Sequence, residues 1–229
     1  MNLSVSEFVC GENTIVEHCK IQLESESAYH ISNTKVTLET SANFKTHSLA
    51  FGGALARCDH HTMLNGEGID CTLNGLYLPH NHQQIDHRLT VEHTKPHCTS
   101  HQLYKGVLSD HARAVFRGKF YVHQDAQKTD AYQSNKNILL SRDAEINTRP
   151  QLEIYADDVK CSHGATIGRL DPEQIFYLQS RCVDKESARS LLIYAFANEI
   201  VEQIGIDVVH ENIKKEIISR LPNRSIFEE

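Results

Sequence analysis

A cysteine and a histidine lie two residues apart in the segment Cys161-Ser162-His163. On a β-strand, residues i and i+2 project from the same face, so this thiol and imidazole would point in one direction about 6–7 Å apart. Thiolate sulfur and imidazole nitrogen are ligands for soft metals and for iron–sulfur clusters. Gly164 follows, and a glycine allows a cluster or another backbone to approach closely. The alternative is a structural cysteine beside a surface histidine, which is the commoner origin of such a pair.

A second group of possible metal ligands lies in the histidine-rich stretch 80–101. His80, His82 and Asp86 resemble the start of a cupin metal site, in which three histidines and one carboxylate hold the metal of an oxygenase or isomerase. Asp86 replaces the usual glutamate, and the Pro-x-Gly turn with a later histidine is missing. Exposed imidazoles on polar strand positions and turns are the simpler interpretation. A cupin-like metalloenzyme is therefore kept as the alternative function.

Composition and missing motifs argue against several other classes of protein. The 229 residues carry 30 acidic and 23 basic side chains, a formal net charge of −7, so a nucleic acid is not the expected partner. The longest apolar run, 191–197, is far shorter than the ~20 residues of a membrane-spanning helix. The motifs GxSxG, GxxxxGK[ST] and GxGxxG do not occur, which argues against a serine hydrolase, a P-loop NTPase and a dinucleotide-binding enzyme.

The cysteines and the first residues of the chain indicate its compartment. There are seven cysteines, an odd number, and no CxxC motif. Reduced thiols fit this pattern better than a secreted disulfide framework. The first seven residues have no basic and apolar leader pattern. We therefore expect a cytoplasmic protein.

The elements that must position the candidate ligands change in type near residue 170. From residue 14 to 165 apolar and polar residues alternate without a long helical pattern, which predicts β-strands and excludes a doubly wound α/β sheet. An all-β core over 1–170 remains, as a sandwich, a jelly-roll barrel or a solenoid. The predicted strands include 14–23, 35–39, 69–78, 113–123 and 152–159. A large residue, a polar residue, a glycine and an apolar pair recur at 73–77, 104–108 and 116–120, which slightly favours the solenoid.

A helical period begins after residue 170 and defines a second segment, 171–229. Asp171 followed by a proline is typical of a helix N-terminus, and Asp184 can cap a second helix that Gly205 would end. Three helices are too few to close a large core, so we expect them to pack on the β region or on another chain. The apolar stripe of the second helix comprises Leu192, Phe196 and Ile200. At least two of these three side chains are expected to be packed.

The segment Arg149–Gly168 is similar to a signature of the SufB/SufD family of iron–sulfur cluster assembly proteins. It resembles the SufD branch, because SufB typically has a Glu-His-Glu-Ala pattern where this chain has Cys161-Ser162-His163-Gly164. The resemblance is strong over about 98–200. Cys182 departs from the family, which usually has a glycine there, as at a helix C-terminus. Further similar segments are Gln127–Ala131 with Asn135, Asn137–Ser141, Gln174–Leu178, and Ser180 with Arg181.

The resemblance implies a fold and a set of partners. The fold would be a right-handed parallel β-helix (a β-solenoid) over 1–170, followed by a C-terminal α-helical segment over 171–229. The protein would be a non-catalytic scaffold that pairs with SufB, or with itself when SufB is absent, and neither nucleic acid nor membrane would be a partner. The C-terminal helices would dock the SufC ATPase. Their expected contact residues are Phe176, Leu192, Phe196 and Ile200.

The resemblance also assigns the candidate ligands a role. His163, with Cys161 beside it, would bind a nascent iron–sulfur cluster at the SufB–SufD interface. No cofactor would be stably bound, the cluster would be transient, and flavin is left open as a component of the assembled complex.

Overall fold

A computed structural model describes residues 1–227, which form twelve β-strands, three α-helices and one short 3₁₀ helix. The strands are β1 Asn2–Cys10, β2 Ile15–Gln22, β3 Tyr29–Leu38, β4 Asn43–Ala50, β5 Leu55–Leu64, β6 Asp70–Tyr77, β7 Gln84–His93, β8 Thr99–Leu108, β9 Arg113–Val122, β10 Asp130–Leu139, β11 Glu145–Ile154 and β12 Lys160–Gly168. The helices are α1 Pro172–Gln179, α2 Lys185–Val201 and α3 Asp207–Ser219, followed by the 3₁₀ helix Ser225–Phe227.

The strands form two parallel sheets that face each other. The odd sheet has the order β1-β3-β5-β7-β9-β11, and the even sheet has the order β12-β10-β8-β6-β4-β2. Consecutive strands lie in opposite sheets, and every sheet neighbour is parallel and in register with the strand one turn away. The chain is therefore a β-solenoid of about six turns. The parallel solenoid is confirmed, and both the sandwich and the jelly-roll barrel are wrong.

Alternate residues of each strand point into the solenoid and build one continuous core. Large side chains fit there because glycines make room for them on the neighbouring turn. Gly75 is in register with Tyr104, and Tyr77 is in register with Gly106. A Cβ atom on Gly75 would lie 2.1 Å from the Tyr104 ring, and one on Gly106 would lie 2.2 Å from the Tyr77 ring. Two of the three glycines in the repeated pattern of the sequence, Gly75 and Gly106, thus make room for an aromatic ring on the neighbouring turn.

The helical segment covers the outer face of the even sheet. Leu49, Leu76 and Val107 on this face share a buried cluster with Ile193 and Ile217 of α2 and α3. The helices therefore pack on the chain's own β region, one of the two arrangements that the sequence left open. Within residues 1–227 there is no helix with both the length and the apolar composition needed to cross a membrane.

Lys105 connects the even sheet to α2 through buried polar contacts. Its side chain is only 2% exposed, and it pairs with the Glu199 carboxylate. Its ammonium donates to the Phe196 carbonyl at 2.8 Å and lies 4.3 Å from the centroid of the Phe196 ring. A buried ammonium is tolerated when it is paired and hydrogen-bonded in this way. The contact fixes the position of α2 on the sheet.

The predicted helix N-termini are confirmed, and two boundaries are wrong. The Asp171 carboxylate accepts from the backbone N–H of residue 173 at 2.8 Å, and Asp184 accepts from those of residues 186 and 187 at 3.0 Å. Gly205 does not end α2, which stops at Val201; its N–H donates to the Glu17 carboxylate at 2.7 Å. The predicted strand 152–159 is also wrong, because β11 ends at residue 154 and a turn follows.

Cys182 occupies a left-handed backbone position. Its φ of 64° is a conformation that a glycine, which has no Cβ, adopts more easily, and this agrees with the glycine that the resemblance led us to expect there. The turn after α1 thus keeps the geometry of a glycine turn although a cysteine occupies it.

Gly75→Ala should destabilise the solenoid. The added methyl group cannot fit beside the Tyr104 ring, and overpacking of this kind costs about 1–3 kcal/mol. The midpoint of urea unfolding measures the loss. Gly168→Ala is the matched control, since a Cβ at Gly168 meets nothing within 4 Å. Equal midpoints for the two variants would contradict the packing described for the tyrosine.

Candidate ligand site at the end of the solenoid

The predicted ligand pair lies on the last strand of the even sheet. β12 has one sheet neighbour, β10, and in this pairing Cys161 is in register with Ala131 and His163 with Gln133. Ala131 and Gln133 are buried and point into the solenoid. Cys161 and His163 therefore share the inward face at the end of the stack, where no further turn covers them. The expectations of a common face and of a position at the end of the β-helix are confirmed.

Cys161 is half-buried at this end. It packs against a small buried cluster of Val122, Ala126 and Ala156. Burial raises the pKa of its thiol, and the nearby Asp130 carboxylate raises it further. The thiol is therefore protonated at neutral pH in the isolated chain. It would bind a metal only after losing that proton.

His163 is exposed and continues a column of polar side chains inside the solenoid. On the two preceding turns the column holds Gln133 and Gln102, both fully buried, and the Gln133 amide donates to the Gln102 carbonyl oxygen. The Gln133 side-chain oxygen has no hydrogen-bond partner within residues 1–227. Gly118 of the opposite sheet leaves room for this amide, since a Cβ there would lie 1.7 Å from the Gln133 nitrogen. The imidazole thus lies at the open end of a polar column.

The ligand pair is incomplete by itself. In the part of the chain that the structure describes, no group of three His, Cys, Asp or Glu side chains is placed to hold a metal ion. Iron in a protein-bound iron–sulfur cluster is held by several protein ligands together with sulfide. A cluster at Cys161 and His163 would therefore need further ligands besides those that residues 1–227 place there.

The cupin-like alternative is wrong. His80 lies in a turn, where it pairs with Glu26 at 2.8 Å, and His82 stacks on the ring of His111. Asp86 is on a strand and forms an ion pair with Arg88. These side chains therefore have separate partners and form no metal site, and the parallel sheets differ from the antiparallel sheets of a jelly roll.

The four residues expected to dock an ATPase lie on two different helices and differ in their exposure to solvent. Phe176 on α1 is 72% exposed, whereas Ile200 on α2 is fully buried. Phe196 is partly buried over Lys105, and Leu192 is partly exposed. The expectation that at least two residues of the α2 stripe are packed is confirmed. Ile200 as a docking contact is wrong, because the apolar side of α2 faces the chain's own sheet.

Sequence reasoning missed two buried histidines. His87 lies between the rings of Tyr77 and Tyr104, with ring centroids 5.3 and 5.2 Å away, and neither of its ring nitrogens has a hydrogen-bond partner within residues 1–227. His93 is also buried, and its Nε2 lies 2.8 Å from Ser100 Oγ. Burial lowers the pKa of each to about 4. Both were expected to be exposed. The sequence does contain a signal for the burial of His87, because it lies two residues from each of the apolar residues 85 and 89 and so shares their face of the strand.

One protein family matches most of this chain. The family described as "SUF system FeS cluster assembly, SufBD core domain" matches residues 1–196. The chain is 42% identical over 212 residues to the iron–sulfur cluster assembly protein SufD of Escherichia coli (strain K12), covering 93% of this chain and 49% of that protein. It is 39% identical over 205 residues to an iron–sulfur cluster assembly SufBD family protein of Synechocystis sp., covering 90% and 45%. It is 36% identical over 200 residues to the chloroplastic protein ABCI7 of Arabidopsis thaliana, covering 87% and 42%.

The fold is a parallel β-solenoid whose last strand presents a cysteine and a histidine, two side chains of types that can ligate metals, and within residues 1–227 no third such side chain joins them. The chain belongs to the SufB/SufD family, through its SufBD core domain, and the similarity to SufD stated from its motifs is confirmed. The chain spans about half the length of the curated relatives it matches.

His87→Leu should reduce the loss of stability in acid. The folded chain keeps this imidazole neutral down to about pH 4, whereas an unfolded chain protonates it near 6.5. Lowering the pH through this window therefore favours the unfolded chain, by roughly 3 kcal/mol for this one group. Urea unfolding at pH 7 and pH 4.5 measures the difference, and His82→Gln, at an exposed histidine, is the control. If both variants lose as much stability as the parent chain, His87 is not the group that titrates.

Proposed function

We propose that the chain is a non-catalytic scaffold on which a nascent iron–sulfur cluster is assembled at an interface with a SufB subunit. The observation that carries the proposal is the free outer edge of β12, the last strand of the even sheet, which presents Cys161 and His163 on one face without a third ligand within residues 1–227. The cluster is the cargo of this site and not a resident cofactor. The family match and the cluster-assembly names of the relatives agree with this function.

The chain could pair with SufB through backbone hydrogen bonds at the free edge of β12. An edge strand has unsatisfied N–H and C=O groups that a strand of another chain can pair with. A partner strand would lie ~4.8 Å away, so its side chains would adjoin Cys161 and His163. The interface would also exclude water from the ligands. A second copy of this chain could occupy the same edge when SufB is absent.

The two ligands contribute differently to the proposed site. A neutral imidazole binds iron directly, whereas a thiol must first lose its proton. The raised pKa of the half-buried Cys161 makes this loss harder. His163 is therefore the main ligand from this chain, and SufB supplies the main thiolate.

The first helix is the proposed docking surface for the SufC ATPase. Phe176 and Tyr177 of α1 are 72% and 56% exposed, and the Arg181 guanidinium lies 4.6 Å from the Tyr177 ring. Among the residues described, none on α1 is buried. ATP hydrolysis by SufC would move the subunits and open the interface site to iron and sulfide. The assembly would act in the cytoplasm.

His163→Ala should abolish cluster assembly and leave the complex intact. The chain is co-expressed with SufB and SufC, and iron and sulfide in the purified complex are measured together with its composition. Ser162→Ala is the control, because Ser162 is an exposed neighbour on the opposite face of β12. Cys161→Ser should have a milder effect. A His163 variant with the iron and sulfide content of the parent complex would remove this residue from the site.

Phe176→Glu should weaken SufC binding without changing the unfolding midpoint of the chain. A large exposed aromatic at the centre of an interface typically contributes at least ~2 kcal/mol, which corresponds to roughly thirtyfold in Kd. Val208→Glu on α3 is the control, because Val208 is equally exposed at 72%. Binding is measured by titrating SufC into the purified chain. Equal affinities for both variants would place the SufC contact away from α1.

A further inference from the structure

Three arginines form one row across the outer face of the odd sheet. Arg88, Arg117 and Arg149 lie on the neighbouring strands β7, β9 and β11 and are directly in register. Neighbouring strands are ~4.8 Å apart, and like charges placed opposite each other destabilise a sheet. The chain has a net charge of −7, so a generally basic composition does not explain the row.

The charge of this row is only partly neutralised. Arg88 forms an ion pair with Asp86 at 3.0 Å. Arg149 donates to the side-chain oxygen of Asn147, a neutral partner, at 3.1 Å. Arg117, in the centre, makes no hydrogen bond or ion pair to another side chain within residues 1–227, and it is exposed. Two of the three guanidinium groups therefore have no carboxylate partner.

The row borders a shallow groove of about 320 Å³, a volume within the range of small-ligand sites. We call it the arginine groove, and its polar lining consists of Arg88, Thr90, Arg117, Lys119, Arg149 and Gln151. No carboxylate lines it. Another groove with two arginines, Arg113 and Arg142, differs in this respect, because Asp143 and Glu145 also line it. The arginine groove is thus supplied with hydrogen-bond donors and positive charge.

We propose that the arginine groove binds the diphosphate group of a small ligand. A guanidinium donates two parallel hydrogen bonds to phosphate oxygens, so it recognises this group better than a point charge does. Adjacent arginines separated by one strand spacing can each face one phosphoryl group of the same molecule. Thr90 can donate to a remaining oxygen. Lys119 and Gln151 also line the groove, but both contact the Glu153 carboxylate, Lys119 at 2.7 Å and Gln151 at 2.6 Å, so the arginines carry the recognition. The ligand would be free diphosphate or a nucleoside diphosphate.

This site is separate from the proposed cluster site. The arginines point outward from the odd sheet, whereas Cys161 and His163 lie on the inward face of the even sheet. The helices cover the outer face of the even sheet only, through the cluster around Leu76 and Val107. The arginine groove is therefore open to solvent within residues 1–227, and its test does not depend on cluster assembly.

Isothermal titration of the purified chain with inorganic diphosphate, at constant ionic strength set with chloride, tests the proposal. We expect saturable binding that Arg117→Gln weakens at least tenfold. Arg57→Gln is the matched control, because Arg57 lies on the same outer face but pairs with Asp59 outside the groove, and it should leave binding unchanged. Both variants should keep the parent unfolding midpoint, which shows that any loss of binding is local.

A second titration with ADP identifies the source of the diphosphate group. Binding of ADP that depends on Arg117 supports a nucleotide ligand, and binding of inorganic diphosphate alone supports the free anion. Absence of saturable binding by both ligands would overturn the proposal. So would equal weakening by Arg117→Gln and Arg57→Gln, which would indicate general attraction of anions. Binding of poly-glutamate without binding of diphosphate would also overturn it, in favour of an acidic protein partner.

Discussion

In-register stacking is the constraint on which the rest of this structure depends. Every inward side chain packs against the side chain at the same position one turn away. The sizes of side chains on neighbouring turns must therefore match. Tyr104 is accommodated because Gly75 lies beneath it, and the buried amide of Gln133 is accommodated because Gly118 faces it across the interior. The same constraint leaves a strand with one free edge wherever the stack stops. Within residues 1–227, β12 is such a strand, and the candidate ligands lie on it with no further turn above them.

The helices divide the outer surface into a covered face and an open face. α2 is fixed on the even sheet by the buried Lys105 with Glu199, and Ile200 is enclosed in the same contact. The aromatic side chains Phe176 and Tyr177 of α1 have no such enclosure and remain exposed. The odd sheet has no helix on its outer face within residues 1–227, which keeps the charged row around Arg117 accessible.

The parts of the fold that depend on local rules could be predicted from the sequence. The alternation of apolar and polar residues predicts strands. Cys161 and His163 are two residues apart, so on a strand they share one face whatever that strand packs against. The surface against which the apolar stripe of α2 packs could not be predicted. Apolar residues four apart on a helix are equally compatible with packing on the chain's own sheet and with binding to another protein. The row of Arg88 and Arg117 could not be predicted either, since register between turns depends on loop lengths that sequence alone does not specify.

Burial has opposite effects on the two kinds of candidate ligand, an imidazole and a thiol. Inside the solenoid, desolvation keeps His87 and His93 neutral far below their ordinary titration range. Desolvation favours the neutral form of an imidazole, which is the form that binds metal. For Cys161 the same burial favours the protonated thiol, which is the form that does not bind metal. In the function proposed above, this burial weakens the cysteine as a ligand, which is why the thiolate of the shared cluster is assigned to the partner.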